Sequence, residues 1–282
     1  MPEVPPEIAL KIGLLYLGLL LAGLFADGLI CLWLLRHPPE LPQLSARTRR
    51  SPFTWSQLGA LMLLLLVSQA FGLAGLALAQ RQDVVPDPVP DTALLALQSI
   101  LVHGALLLAI VLGMYRNRLG WRRAFGLRLR ELPARAVQGA VFYLAMVPPF
   151  LAALFVSYLA MRRFGVEIEP QDVVDAFIRE RVPWVRAYFL VLALLIAPVA
   201  EELLFRGILL RLAAKRFGVG PAIALCSACF AAIHFHLPAT LPLFVIASAF
   251  ALAYIYTGSI LVPIVMHAIF NGVNMWLLRM LR

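Results

Sequence analysis

The last third of the chain carries polar side chains inside long apolar runs. They are Glu201, Glu202, Arg206, His234, His267 and Asn271. Polar and ionisable groups inside membrane-spanning segments are costly, and they usually serve a function. A carboxylate beside an imidazole can activate a water molecule, and imidazole and amide groups can stabilise a developing oxyanion. The residue types therefore mark this third of the chain as the candidate functional site.

Helical spacing sorts these residues into pairs. Glu202 and Arg206 are an i,i+4 pair, so they share a helix face and are predicted to form an ion pair. Glu201 points roughly 100° away from its neighbour around the same helix, which leaves it free for another role. His267 and Asn271 are also an i,i+4 pair and present one polar face.

The elements that position these residues are predicted to be membrane spans. Of the 282 residues, 62% are hydrophobic and 14% are charged, whereas soluble domains carry roughly 25% charged residues. Because a span needs about 20 apolar residues, we predict an all-α fold, a polytopic transmembrane helical bundle of about eight helices. The predicted spans are about 8–35, 57–79, 92–115, 137–161, 187–216, 220–236, 241–257 and 259–280.

The net charge of +9 lies in short segments between the apolar runs. Cytoplasmic loops of membrane proteins carry an excess of lysine and arginine, which places segments 36–56, 116–135 and 206–219 inside and both termini outside. This pattern indicates a lipid bilayer as partner and argues against nucleic acid. In segment 116–135 arginines alternate with apolar residues, so we expect an interfacial helix there. In a bacterium, the chain would be a multi-pass protein of the cytoplasmic membrane.

Two turns are predicted to bring the polar groups together. The sequence FGVGP at 217–221 is a strong turn signal. At about 1.5 Å per residue, Glu201 lies roughly 24 Å before this turn and His234 roughly 20 Å after it. His267 lies roughly 13 Å beyond the second turn, at Thr257–Gly258. These groups therefore reach a similar depth, in a site that opens to the cytoplasmic side.

Three short motifs follow one another on these segments: EExxxR, FxxxH and HxxxN. They comprise Glu201, Glu202, Arg206, Phe230, His234, His267 and Asn271. Together they resemble the motifs of the CAAX-protease and bacteriocin-processing family of intramembrane glutamate proteases. The resemblance covers about residues 187–277, the core of an expected protease-like membrane domain over 137–282. Residues 1–136 are expected to form an N-terminal transmembrane region with three spans and a basic cytoplasmic segment.

The resemblance implies an intramembrane endopeptidase that cleaves a membrane-embedded or lipidated peptide or protein. Glu201 is then the general base, and His234 helps to hold and polarise the attacking water. His267 and Asn271 stabilise the developing oxyanion. The supporting residues are Glu202, Arg206 and Phe230, of which the first two fix the helix and orient the base. This mechanism favours no cofactor.

Other functions stay open from the sequence. Glu201, His234 and His267 could instead ligate zinc, because two histidines and one carboxylate suit that metal. The chain could also be a non-catalytic membrane partner or a bacteriocin immunity protein, although the intact motifs favour catalysis. A transporter is disfavoured because the polar groups cluster at one site and no inverted repeat is evident. His103 and Asp27 are isolated polar groups in other spans, to which the sequence assigns no chemistry.

Overall fold

The structure is a computed structural model that describes residues 5–79, 91–166, 180 and 182–280. Every regular element within these ranges is helical, which confirms the all-α prediction. The helices are α1 (Pro6–Arg36), α2 (Leu41–Thr48), α3 (Trp55–Ala79), α4 (Asp91–Arg116), α5 (Trp121–Phe125), α6 (Leu132–Phe164), α7 (Pro183–Phe217), α8 (Val219–Ala232), α9 (Thr240–Thr257) and α10 (Leu261–Met280). Short 3-10 turns at Leu129–Glu131 and Leu237–Ala239 lead into α6 and α9.

Six helices in the described ranges are long and apolar enough to cross a membrane: α1, α3, α4, α6, α7 and α9. Helices α8 and α10 are also apolar but shorter. Each of the eight overlaps one predicted span, so the predicted bundle of about eight helices is confirmed. Large apolar side chains such as Leu66, Phe71 and Leu108 are more than half exposed. Such a surface suits lipid, and the chain is an integral membrane protein.

One end of the bundle gathers the arginine-rich segments. Arg47 of α2 donates a hydrogen bond to the carbonyl of Ile255 near the end of α9. Arg211 of α7 donates to the carbonyls of Ala124 and Arg50. The last carbonyls of a helix lack partners within the helix, and these arginine contacts satisfy some of them. The three basic segments therefore meet at one end of the bundle, as their charge pattern predicts.

Segment 116–135 does not form the interfacial helix that the sequence predicts. Between α4 and α6 it contains the five-residue helix α5, followed by Gly126 with a φ of +67°, and the short 3-10 turn Leu129–Glu131. Phe125 is fully buried, and it packs against Gly207 of α7, where a Cβ atom would lie 2.5 Å from the Phe125 ring. The Ile260 backbone N–H donates to the Phe125 carbonyl at 3.1 Å. Because Gly207 leaves room for the ring, Phe125 is buried inside the protein and not among lipid headgroups, as an interfacial helix would require.

Helix α7, which carries the EExxxR motif, departs from regular α-helical geometry on both sides of the motif glutamates. Two π-helical stretches, Leu192–Ile196 and Leu203–Leu209, flank the regular turn Ala197–Glu202. Such stretches are rare in proteins and occur frequently at functional sites, because they interrupt the regular i to i+4 hydrogen bonding. The irregular backbone therefore coincides with the residues that the sequence singles out for chemistry.

The other helices that carry predicted site residues pack around α7. After Gly218, with a φ of +88°, α8 folds back against the C-terminal part of α7, and α9 packs against α8. Helix α10 packs against α6 and the first π-helical stretch of α7. Helix α4 packs against the N-terminal half of α7, although it belongs to the predicted N-terminal region, 1–136. The division of the chain at residue 136 stays a prediction.

We predict that reporters fused after Arg50 and Arg118 lie in the cytoplasm, because arginine-rich loops are retained on that side. A reporter fused after Gly165, which follows α6, should lie across the membrane, as should one at Pro88, which is not among the described residues. Paired reporters that are active on only one side of the membrane measure this. Cytoplasmic reporter activity after Gly165 would reverse the assigned orientation.

Candidate active site

Glu202 and Arg206 form an ion pair in the interior of the bundle, as their spacing predicts. Both side chains are 0% exposed, and Arg206 Nη1 donates to Glu202 Oε1 at 2.8 Å. Arg206 Nη2 donates to the Ala247 carbonyl of α9 at 3.0 Å. The guanidinium also lies over the rings of Phe230 and Phe250, 4.8 and 5.2 Å from their centroids. These contacts compensate a buried cation and join α7, α8 and α9.

Glu202 also orients His267 of α10. Glu202 Oε1 accepts a hydrogen bond from His267 Nδ1 at 3.1 Å, and the imidazole packs on the Phe250 ring with centroids 5.2 Å apart. The other ring nitrogen, His267 Nε2, lies 3.9 Å from Glu201 Oε2. The sequence predicts that Glu202 and Arg206 orient Glu201. The hydrogen bonds of Glu202 instead reach Arg206 and His267.

Glu201 faces two imidazoles without a direct hydrogen bond to either. Its Oε2 lies 3.9 Å from His267 Nε2, and its Oε1 lies 4.0 Å from His103 Nε2. Among the described residues, Oε2 is buried without a hydrogen-bond partner, although the side chain as a whole is 18% exposed. Both gaps are too long for direct hydrogen bonds, but one water can bridge polar groups at such a separation. Among the described residues, Glu201 thus makes no direct side-chain hydrogen bond, whereas Glu202 Oε1 accepts two and only Glu202 Oε2 lacks a partner.

Helix α8 ends at Ala232, before the end of the predicted span 220–236. The helical backbone is not continued, because Phe235 has a left-handed φ of +47°. His234 therefore lies in the turn after the helix. With 14 residues, α8 rises only about 21 Å, less than the ~30 Å hydrocarbon core. Irregular backbone at membrane depth is tolerated where protein buries it or water reaches it.

The FxxxH motif places one aromatic ring against two histidines. His234 Nδ1 donates to the Phe230 carbonyl at 2.7 Å, and the two ring centroids are 4.9 Å apart. The Phe230 ring also lies 5.9 Å from the His267 ring. His234 and His267 therefore lie at the same aromatic residue, which also contacts Arg206.

Asn271 joins α10 to the first π-helical stretch of α7. Its Nδ2 donates a hydrogen bond to the Ala193 carbonyl at 2.8 Å. A side-chain amide nitrogen carries two N–H groups, so one donor remains for another acceptor. The predicted polar face of α10 is thus divided, because His267 contacts Glu202 whereas Asn271 contacts the backbone of α7.

When the three histidines near Glu201 are neutral, the hydrogen bond of each ring fixes its tautomer. Nδ1 of His103 donates to the Ser99 carbonyl at 2.9 Å, and Nδ1 of His234 also donates to a backbone carbonyl. Nδ1 of His267 donates to the carboxylate of Glu202. Carbonyls and carboxylates only accept hydrogen bonds, so Nε2 is the unprotonated nitrogen of each neutral ring. These Nε2 atoms can therefore accept a hydrogen bond from water.

His103 is the residue near Glu201 that sequence reasoning missed. In the sequence His103 is an isolated polar group within an apolar span, but in the structure its Nε2 lies 4.0 Å from Glu201 Oε1. Its i,i+4 spacing from Ser99 is visible in the sequence, whereas the packing of α4 beside α7 is not. Asp27, the other polar group without assigned chemistry, lies on α1, which packs against α6.

The alternative zinc set does not fit this arrangement. Among the described residues, no group of three histidine, cysteine or acidic side chains is placed to hold a metal ion. Zinc ligands lie about 2.0–2.2 Å from the metal and converge on it tetrahedrally. The proposed ligands Glu201, His234 and His267 do not converge in this way.

Residues 183–273 match the model of a protein family described as Rce1-like, type II CAAX prenyl endopeptidase Rce1-like. The match runs from α7 into α10, contains all three motifs and confirms the resemblance that the motifs predict. This integral membrane protein therefore contains a segment that is similar to a protease family. No curated protein and no solved structure matches the chain. His103 lies outside the matched residues.

Replacing Arg206 with methionine should destabilise the protein by about 3–5 kcal/mol, because Glu202 then stays buried without its cation. The double variant Glu202→Gln/Arg206→Met should lose less stability, because no uncompensated charge remains. Glu201→Gln should unfold close to wild type, since its carboxylate makes no direct hydrogen bond. Thermal unfolding in detergent measures all three. Wild-type stability of Arg206→Met would show that the pair does not hold the fold.

Proposed function

We propose that the Rce1-like segment, residues 183–273, makes this protein an intramembrane endopeptidase with Glu201 as its general base. The observation that carries the proposal is the buried Oε2 of Glu201, which lies 3.9 Å from His267 Nε2 and has no hydrogen-bond partner among the described residues. A general base must reach the proton that it abstracts directly or through one water. An unpartnered carboxylate oxygen facing an imidazole meets this requirement.

The proposed reaction is hydrolysis of a peptide bond. Glu201 removes one proton from water, and the resulting hydroxide attacks the carbonyl carbon of the substrate. The tetrahedral intermediate collapses with cleavage of the C–N bond, and protonated Glu201 gives its proton to the leaving amine. The products are an amine and a carboxylic acid, and the acid ionises to a carboxylate with release of one proton. His234 polarises the water from the side of Phe230, whose ring contacts both His234 and His267.

His267 and Asn271 supply the proposed oxyanion donors. Asn271 retains one amide N–H after its hydrogen bond to the Ala193 carbonyl. His267 can donate from Nε2 only as an imidazolium, because its Nδ1 proton is already given to Glu202. Glu202 fixes the orientation of the His267 ring, so the buried pair positions this proposed donor. Glu202 and Arg206 therefore serve as supporting residues.

We propose a mechanism without a metal or other cofactor. Support comes from the absence of a three-ligand arrangement among the described residues. Every step assigned above uses the carboxylate, imidazole and amide groups of the chain.

The proposed substrate is a membrane-embedded or lipidated peptide or protein that reaches the site from the bilayer. The family description names a prenyl endopeptidase, and a lipidated substrate would be consistent with that description. The active site should open to the cytoplasmic side, because the arginine-rich segments gather at the end of the bundle where α7 and α8 meet. In a bacterium, the proposed location is the cytoplasmic membrane.

A non-catalytic binding or immunity function would require a different property of Glu201 than hydrolysis does. Binding of a peptide would need the shape and polarity of the site, which glutamine retains. Hydrolysis would also need a group that accepts a proton, which glutamine lacks. The isosteric variant Glu201→Gln therefore distinguishes the two functions.

Glu201→Gln should lower the rate of substrate cleavage by about 10²–10⁴-fold, because the general base is lost. Asn271→Ala should lower the rate by about 10²–10³-fold through loss of an oxyanion donor. Mass spectrometry of membrane proteomes with wild-type or Glu201→Ala protein identifies a substrate, and a fluorogenic peptide that spans its cleaved bond gives the rate in proteoliposomes.

The matched control is Glu131→Gln, which alters a partly exposed carboxylate paired with Arg128 and Arg135. Its cleavage rate should equal that of wild type. Cleavage at the wild-type rate by folded Glu201→Gln would refute the proposed mechanism. Absence of any cleaved protein in the proteomic comparison would favour the binding function.

A further inference from the structure

We propose that His103 of α4 is a positioning residue for the general base, Glu201. In this proposal one water bridges His103 Nε2 and Glu201 Oε1. The other carboxylate oxygen, Oε2, then stays directed at the attacking water. The inference rests on the proposed function, in which Glu201 is the base. It assigns a role to a residue of the N-terminal half of the chain, outside the matched residues 183–273.

Helix α4 is held against α7 just before His103. The Tyr188 hydroxyl of α7 hydrogen-bonds with the Ser99 hydroxyl and donates to the Ala96 carbonyl at 3.2 Å. Ala96 also packs with Phe189 in a small apolar cluster. His103 follows Ser99 by one helical turn on the same face. These contacts hold the α4 backbone in place one turn before His103 and so position its imidazole opposite Glu201.

The ring of His103 is itself fixed by a hydrogen bond. Its Nδ1 donates to the Ser99 carbonyl at 2.9 Å, so Nε2 is the nitrogen that remains for Glu201. Nε2 and Glu201 Oε1 are 4.0 Å apart, and the two side chains are only 19% and 18% exposed. A neutral Nε2 and a carboxylate oxygen both accept hydrogen bonds. A water between them can donate one hydrogen bond to each, which bridges the two acceptors.

The contact would fix the direction of the Glu201 carboxylate. A glutamate side chain has several rotatable bonds, and an unanchored carboxylate samples rotamers in which neither oxygen reaches the water. With Oε1 held on the α4 side, Oε2 stays on the side of His267, where it lies 3.9 Å from Nε2. A displacement of about 1 Å at a reacting group can cost about 10²-fold in rate. Loss of His103 should therefore affect turnover more than substrate binding.

Two conservative variants separate the functions of the two ring nitrogens. Glutamine places an amide near the position of Nε2 but loses the contact of Nδ1, whereas asparagine retains a polar group near Nδ1 and cannot reach Glu201. We expect His103→Ala and His103→Asn to lower kcat about 10- to 100-fold with little change in KM. His103→Gln should recover most of the lost kcat. The assay is cleavage of the fluorogenic peptide in proteoliposomes, with thermal unfolding measured in parallel.

A purely structural role predicts the reverse order, in which asparagine rescues both stability and kcat and glutamine does not. That order, wild-type kcat in His103→Ala, or an effect confined to KM would overturn the proposal. Tyr188→Phe is the control for packing, because it loosens α4 from α7 without changing His103. A loss of kcat in Tyr188→Phe as large as in His103→Ala would also overturn it.

The result for Glu201→Gln separates this inference from the proposed function. If Glu201→Gln is inactive and the His103 variants behave like wild type, only the positioning role of His103 fails. If Glu201→Gln cleaves at the wild-type rate, the proposed function itself fails, whatever the His103 variants show.

Discussion

The ion pair between Glu202 and Arg206 is the interaction on which the site depends. Both groups have no exposed surface, and removing a charge from water costs several kcal/mol unless geometry and further contacts compensate it. Here the compensation comes from other helices: a carbonyl of α9, the Phe230 ring of α8 and His267 of α10. A charge that must be satisfied inside a membrane bundle thus determines how four helices meet.

This constraint gives two adjacent glutamates different properties. Glu202 Oε1 accepts hydrogen bonds from both Arg206 and His267, so Glu202 orients an imidazole. Glu201, on another face of α7, meets imidazole nitrogens only across gaps of 3.9 and 4.0 Å. Catalytic sites often contain paired titratable groups whose surroundings separate their roles. The proposed division into a supporting and a reacting carboxylate follows from these surroundings.

The sequence predicts features that depend on local spacing and composition. Apolar length predicts the spans, and i,i+4 spacing predicts the pair of Glu202 and Arg206, which the structure confirms. Features set by distant packing are missed. His103 reaches Glu201 only because α4 packs against α7, and Phe125 is buried only because Gly207 leaves space for it. The π-helical stretches of α7 likewise have no signature in hydrophobic periodicity.

The most direct test of the account is an experimental high-resolution structure of the protein in a lipid environment, at a resolution that shows ordered waters. The account predicts a water within about 2.6–3.2 Å of both Glu201 Oε2 and His267 Nε2, with Glu202 still bound to Arg206. A metal ion about 2.0–2.2 Å from Glu201, His234 and His267 would contradict it. So would a direct hydrogen bond between Glu201 and His267 that leaves no place for the water.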